Sequence, residues 1–472
     1  MKYTAVIIGS GPAGYTSAIR ISQLGGKVAI IERDLIGGIC TNWGCTPSKA
    51  MITSAKYAKY AKESSNYGIN SGEIKVDFEK VAQRRDKVMQ STREEIKHLL
   101  DHWKVDTIQG SGEIIDANHV KVSPYDNPNK IYSKLEYPTI KEEMTLETEN
   151  IIIATGSEPL IPGFLNKQDS SIINSNKLIS INELPEELTI IGGGIIGLEF
   201  SALFSNFGTK VRIIELLDRC IAMMDPEIST TIQAELANQG IEILTGHKVL
   251  GISNGKISVE VVTSGEKKEF DSKINLIAIG RKAVINSPEL EKLGIQFTPK
   301  GINVNSHLQT NIANIYAVGD ATGLSILAHV AIQQGIICGE NIMSKPREMN
   351  YDVIPAVVYT LPEVATAGTV PADLTDIQVI KFPFSANLRA NIEGHNHGFV
   401  KLWVKNSEFV KQLVAVQLIG DYAGEIIQAY ANLIEQKTDL IIVANTIHAH
   451  PTYNEIVRNS LEYAIGRSIE HF

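Results

Sequence analysis

The sequence predicts an α/β fold carrying two Rossmann-like nucleotide-binding units, and three observations predict it. A glycine-rich turn, Gly9-Ser10-Gly11-Pro12-Ala13-Gly14, stands between an apolar run and a helical run near the start of the chain. The same arrangement returns at Gly192-Gly193-Gly194-Ile195-Ile196-Gly197. In both copies the same twenty-three-residue step leads from the first glycine to an acid, Gly9 to Glu32 and Gly192 to Glu215.

The first unit opens on Tyr3-Thr4-Ala5-Val6-Ile7-Ile8, which reads as a buried strand. A helix is expected from Tyr15 to about Leu24, then a strand, Val28-Ala29-Ile30-Ile31, ending at Glu32. Gly9, Gly11 and Gly14 allow the tight turn and the close approach of a pyrophosphate to the helix N-terminus. Glu32 is placed to hold ribose hydroxyls. A lone glycine pattern is weak evidence; one set between strand and helix, with the acid at the next strand end, is strong.

Two cysteines follow, in Gly37-Gly38-Ile39-Cys40-Thr41-Asn42-Trp43-Gly44-Cys45-Thr46-Pro47-Ser48-Lys49. Pro47 suits a first helical turn. A helix N-terminus favours the thiolate, the form in which sulfur is a nucleophile. A thiol pair beside a redox nucleotide points to a disulfide that cycles rather than one that braces the fold. Cys220 and Cys338 lie in no motif and read as core residues.

The second unit runs from Leu188-Thr189-Ile190-Ile191 through Gly192, Gly194 and Gly197. A helix to about Phe207 follows, then Lys210-Val211-Arg212-Ile213-Ile214-Glu215. Two nucleotide sites with a cysteine pair after the first imply an electron path between a tightly held flavin and an exchangeable nicotinamide. Glu215 would accept from a free ribose 2′-hydroxyl and repel a 2′-phosphate, which favours NAD over NADP. Arg212 and Arg219 nearby read as solvated surface charges.

Composition fits this reading. A length of 472 residues suggests three or four domains, and 43% hydrophobic with 21% charged residues is ordinary for a globular protein. A net charge of −9 without a basic tract argues against nucleic acid or an anionic membrane as partner. No apolar run approaches a membrane span, and the first strand leaves no room for a targeting peptide in the chain as given. Four cysteines do not make a disulfide framework, so a reducing, cytoplasmic compartment is expected.

These motifs, with Ala154-Thr155-Gly156, Tyr316-Ala317-Val318-Gly319-Asp320 and His448-Ala449-His450-Pro451-Thr452-Tyr453-Asn454-Glu455, span essentially the whole chain. Together they resemble the flavoprotein disulfide reductases, the class I pyridine nucleotide-disulfide oxidoreductase family, and most of all its dihydrolipoamide dehydrogenase branch. The resemblance implies an FAD-binding domain over 1–148, an NAD-binding domain over 149–280, a return to the FAD domain over 281–350, and a C-terminal α+β dimerisation domain over 351–472. It implies FAD and NAD as cofactors and a homodimer. The implied reaction is oxidation of protein-bound dihydrolipoamide with reduction of NAD, beside a lipoyl-bearing acyltransferase of a 2-oxo acid dehydrogenase complex.

The resemblance also implies roles. Cys45 would be the thiol next to the flavin and Cys40 the one that meets the substrate. His450 would be the base, oriented by Glu455 and reaching across from the other subunit, with His448 helping to shape the site. Lys49 and Glu199 would meet near the flavin. Asp320 would hold the ribityl chain, with a helix N-cap as its plain structural reading. Thr155, Gly156 and Gly280 belong to the segments crossing between the nucleotide domains. A zinc site from Cys40, Cys45, His448 and His450 has poor spacing, so no metal is expected. No cysteine follows Cys338, unlike in a mercuric reductase. Trp43 and Tyr453 are bulkier than the family's usual residues and are expected to narrow the disulfide pocket. Two other readings stand beside the main one: a related FAD-dependent reductase with a different disulfide substrate, and a non-catalytic redox-sensing flavoprotein.

Overall fold

Apolar runs in the sequence become the central strands of a sheet whose members come from both halves of the chain. The computed structural model describes residues 2–133, 135, 140–406 and 410–471. Among them the first sheet has seven strands. The spatial order is Asp106–Gln109, Val28–Glu32, Lys2–Ile8, Met144–Ile153, His119–Ser123 and Ser111–Asp116, with Ile315–Ala317 also paired to Met144–Ile153. The strands on either side of Lys2–Ile8 run parallel to it. Ile7, Ile30 and Ile152 have no exposed surface, and complete burial of such a side chain stabilises by about 1.5–3 kcal/mol. The helix after the first turn is Pro12–Gln23, starting on the proline rather than at Tyr15, because proline suits a first helical position where no N–H is needed.

Five parallel strands form the second sheet, in the order Glu242–Leu244, Lys210–Ile214, Glu187–Ile191, Asn275–Ile277 and Ile172–Asn174. Its glycine turn leads into the helix Ile195–Phe207. The third sheet is antiparallel, in the order Ala356–Val358, Glu363–Gly368, Lys411–Gly420, Phe399–Asn406 and Ile377–Pro383. The helices Ala423–Glu435 and Glu455–Ala464 pack with it around Val416, Ile427 and Leu461. Architecture is therefore α/β, with two Rossmann-like layers and a C-terminal α+β unit.

Two helices follow the cysteine segment, Cys45–Lys62 and Phe78–His102. The break falls where Asn70, Gly72 and other polar residues replace the apolar pattern, and Asp77 restarts the second helix by accepting from the Lys80 N–H. The expected domain boundary at 148 falls inside the strand Met144–Ile153, which pairs with first-sheet strands along its length. Cys220 and Cys338 are fully buried.

Candidate active site

Cys40 lies in the short helix Gly38–Asn42, and Cys45 is the first residue of the helix Cys45–Lys62. Glycine is required just before them. A Cβ at Gly38, where φ is +59°, would stand 2.7 Å from the Gly11 Cα, so the cysteine segment lies directly on the first glycine turn. Both cysteines are thiols. The Cys40 S–H donates to the Cys45 sulfur, and that bond, aided by the Lys49 charge against the cost of burial, holds the Cys45 thiol down to about 7. Cys40 is pushed up by the same hydrogen bond, by burial and by the charge on Cys45. The pair is therefore unequal, with Cys45 the readily formed thiolate.

Lys49 lies one helical turn beyond Cys45. Its Nζ donates to Glu199 Oε1 at 3.0 Å and Oε2 at 2.8 Å. Glu199 is buried on the helix Ile195–Phe207, so this pair joins the cysteine helix to the second glycine unit. One residue outside any motif completes it. The Tyr359 backbone N–H donates to Glu199 Oε1 at 3.0 Å, and the Lys49 ammonium sits 4.4 Å from the centroid of the Tyr359 ring. A buried carboxylate needs such partners.

A cavity of about 1250 Å³ opens over these groups. Its lining includes Gly9, Gly11, Glu32, Cys40, Cys45, Lys49, Thr155, Gly156, Glu199 and Asp320. That volume exceeds the roughly 300–1,000 Å³ of ordinary small-molecule sites and suits a dinucleotide. The turn fits one as well. A Cβ at Gly14 would stand 2.0 Å from the Gly9 carbonyl oxygen, whereas above Gly11 the nearest atom is 4.0 Å away. The backbone is closed beneath the turn and open above it. Glu32 accepts from the Ser10 N–H at 2.8 Å, the Ser10 hydroxyl at 2.7 Å and the Asp34 N–H at 2.7 Å. Burial nevertheless pushes its carboxyl up.

Asp320 does not take its plain structural reading: the short helix Gly319–Thr322 has no side-chain cap, and Asp320 lies inside it. Its Oδ2 accepts instead from the Ser157 hydroxyl at 2.5 Å, and Ser157 in turn accepts from Arg281 Nε at 2.8 Å. An arginine donor fixes the direction of both bonds, because guanidinium cannot accept. Ser157 was adjacent to a motif and so within reach of sequence reasoning. Arg281 follows Gly280 in a segment whose arginine sequence reasoning reaches, whereas Tyr359 carried no signal.

At the second turn, Glu215 accepts from the Gly193 N–H at 2.5 Å and the Leu217 N–H at 2.8 Å. A Cβ at Gly197 would stand 2.0 Å from the Gly192 carbonyl oxygen, and space above Gly194 is open. Arg212 pairs with Glu242 at 2.7 Å and Arg219 with Asp218 at 3.1 Å. Gly280, with φ of +129°, accepts from the Leu160 N–H. It does not line the large cavity.

At the C-terminus, His450 Nδ1 lies 2.9 Å from Glu455 Oε1, and Glu455 Oε2 accepts from the Thr452 N–H. Neither residue lines the cavity holding the cysteines, and the His450 side chain is 64% exposed. Burial pushes His448 down. Trp43 does line the cavity. Tyr453, like His450 and Glu455, does not line the cavity of its own chain. It is buried in the C-terminal core, with its hydroxyl donating to Glu393 at 3.1 Å, because its ring packs on Tyr422. Among the described residues no cluster of three His, Cys, Asp or Glu could hold a metal ion. None of their helices is long and apolar enough to cross a membrane.

Residues 3–335 match the family described as pyridine nucleotide-disulphide oxidoreductase, and residues 354–461 match that family's dimerisation domain. The chain is 35% identical over 472 residues to a dihydrolipoyl dehydrogenase of Geobacillus stearothermophilus, covering 98% of this chain and 96% of the relative. It is 34% identical to that of Chlamydia pneumoniae, covering 96% and 95%. Among solved structures it resembles the HOCl-induced flavoprotein disulfide reductase RclA of Escherichia coli. That match has a TM-score of 0.84 and 26% identity, over 98% of this chain and 99% of the other.

Proposed function

This chain belongs to the pyridine nucleotide-disulphide oxidoreductase family, whose cofactors are FAD and NAD, and we propose that it oxidises protein-bound dihydrolipoamide to lipoamide while reducing NAD. The observation that carries this reading is the unequal thiol pair, with Cys45 held down to about 7, opening into the same cavity as the first glycine turn. The chemistry FAD supplies when bound is two-electron transfer between the Cys40–Cys45 couple and NAD. Gly9, Gly11, Gly14, Glu32, Thr155, Gly156 and Asp320 would hold it. Gly192, Gly194, Gly197, Glu215 and Gly280 would serve NAD. In this reading 1–148 and 281–350 make the FAD-binding domain, 149–280 the NAD-binding domain and 351–472 the dimerisation domain.

The substrate's thiolate attacks the Cys40 sulfur of the Cys40–Cys45 disulfide, and Cys45 leaves as the thiolate that its surroundings favour. A second attack within the mixed disulfide, by the substrate's other thiol, closes the oxidised substrate ring and frees Cys40. His450 removes the substrate's protons, and Glu455 orients its ring and stabilises the charged form. Because His450 is exposed and lies away from the cysteines of its own chain, each site in the homodimer would take it from the other subunit. Lys49 and Glu199 keep a charge pair beside Cys45. The partner would be a lipoyl-bearing acyltransferase of a 2-oxo acid dehydrogenase complex. A reducing, cytoplasmic setting suits thiols that cycle.

A second reading, another disulfide substrate, is favoured by one observation: the bulky Trp43 lines the cavity beside the cysteines. The test is NAD reduction by dihydrolipoamide, with NADP and reduced glutathione alongside. Fast turnover confined to dihydrolipoamide and NAD is expected. His450→Gln should lower kcat by about 10²–10⁴-fold and leave NADH-driven ferricyanide reduction intact. A yellow protein that NADH reduces but dihydrolipoamide does not would overturn the assignment in favour of the second reading.

A further inference from the structure

Cys45 and Cys40 are held very differently. Cys45 begins an 18-residue helix, whereas Cys40 sits in a helix of five residues. So short a helix has little stability of its own, and its position must come from outside. The contacts that hold it converge on Asn42 and Trp43, just past Cys40. Asn42 is fully buried. Its amide donates to the carbonyls of Ile36 and Gly38, both at 2.9 Å, and its oxygen accepts from Arg93 Nη1 at 2.9 Å. Arg93 Nη2 then donates to the Tyr132 carbonyl at 2.5 Å. The Tyr132 ring meets Trp43 edge-on, with centroids 5.6 Å apart. Asn129 in the same segment donates to Asp34 Oδ1 at 3.0 Å, two residues beyond Glu32.

The segment around Lys130–Tyr132 thus straps the loop between the cysteines from outside the cavity. We infer that Tyr132 and Arg93 are positioning residues for the redox couple, acting through Trp43 and Asn42 to hold Cys40 at bonding reach of Cys45. This rests on the reading of Cys40 and Cys45 as the cycling pair. A thiol held in place next to its partner acts at high effective concentration, and loosening it disfavours the disulfide. The reaction that reports this is balanced: Cys40 and Cys45 thiols plus glutathione disulfide give the Cys40–Cys45 disulfide plus two glutathione thiols.

The test equilibrates the FAD-loaded dimer in glutathione buffers of stepped ratio, then quenches with acid and alkylates the remaining thiols for counting by mass. Tyr132→Ala is expected to shift the equilibrium toward the dithiol by about tenfold, which is about 30 mV. Tyr132→Phe, which keeps the ring, should stay within twofold of the parent. The pH midpoint of Cys45 alkylation should rise in Tyr132→Ala, because the hydrogen bond from Cys40 is the largest cause of its low value. Tyr125→Ala, seven residues earlier on the same excursion and, like Tyr132, partly exposed, is the control and should change neither. Should Tyr132→Ala fail to retain FAD, Trp43→Leu removes the same contact from the other side and carries the same expectation. An equilibrium and a midpoint both unchanged in a folded, FAD-loaded variant lacking the contact would overturn the inference alone. A parent protein that forms no Cys40–Cys45 disulfide at any ratio would overturn the cycling-pair reading with it.

Discussion

The two glycine turns are nearly the same object in different surroundings. Gly9 and Gly192 take φ of +106° and +111°. Gly14 and Gly197 each leave 2.0 Å between a Cβ and the carbonyl of the first glycine. Glu32 and Glu215 each gather two backbone N–H groups. The copies part at one position. Ser10 adds a hydroxyl bond to Glu32, and its carbonyl accepts from the Gly37 N–H, which leads into the cysteines. At the matching Gly193 a Cβ would meet the Cys220 sulfur at 2.6 Å, and its carbonyl accepts from Ile221 instead. Past Glu215, Leu216 and Leu217 are exposed, whereas past Glu32 the chain runs into the buried Leu35 and Ile36. In the proposed reading the turn sets which class of ligand binds, and the surroundings set whether that ligand stays or exchanges.

The sharpest way to break this comparison is to damage both turns equally. Gly14→Ala and Gly197→Ala introduce the same overlap, and overpacking of this kind costs about 1–3 kcal/mol or more. Gly14→Ala should yield protein without yellow colour and with a lowered Tm. Gly197→Ala should keep its flavin and raise the KM for NADH at least tenfold. Equal flavin loss from both would end the distinction between resident and exchanging sites. A smaller effect is expected at Glu215. A hydrogen bond to a charged group is worth about 1.5–3 kcal/mol, so Glu215→Ala should reduce the preference of NADH over NADPH by about tenfold to a hundredfold in steady-state kinetics, with flavin content unchanged. The smallest effect belongs to the reduced form of the first site. Iodoacetamide should modify Cys45 with a midpoint of about 7 instead of the ordinary 9.0. A thiol whose folded value is depressed contributes stability present above its unfolded value, lost as pH falls through about 7. Urea midpoints of the reduced protein should therefore fall slightly between those limits.

What the sequence revealed and what it hid divide along one physical line. Strands, turns and the acids at strand ends are written in consecutive residues, so both Rossmann-like units were legible, and so was the helix that starts at Cys45. Pairings across the fold are not. Lys49 and Glu199 were matched only through resemblance, since nothing local links them. Tyr359 reaches Glu199 through a backbone N–H, which any residue carries. The bond from Ser157 to Asp320 was hidden because Ser157 comes from a separate strand. The packing of the Tyr453 ring on Tyr422 and the C-terminal core joins residues 31 positions apart, which no local pattern shows.

The strand Ile315–Ala317 lies against Met144–Ile153, and everything in the second sheet is encoded between them. On a ribosome the second sheet has all its strands before the first one does. At 5–20 residues per second, the first sheet waits roughly 8–30 s between its sixth strand and its last. During that interval the Ile151–Ile153 edge has no neighbour on that side. The nascent chain is thus exposed longest at the sheet that frames the large cavity, and the timing of synthesis, not only the finished fold, decides when that cavity can first close around a ligand.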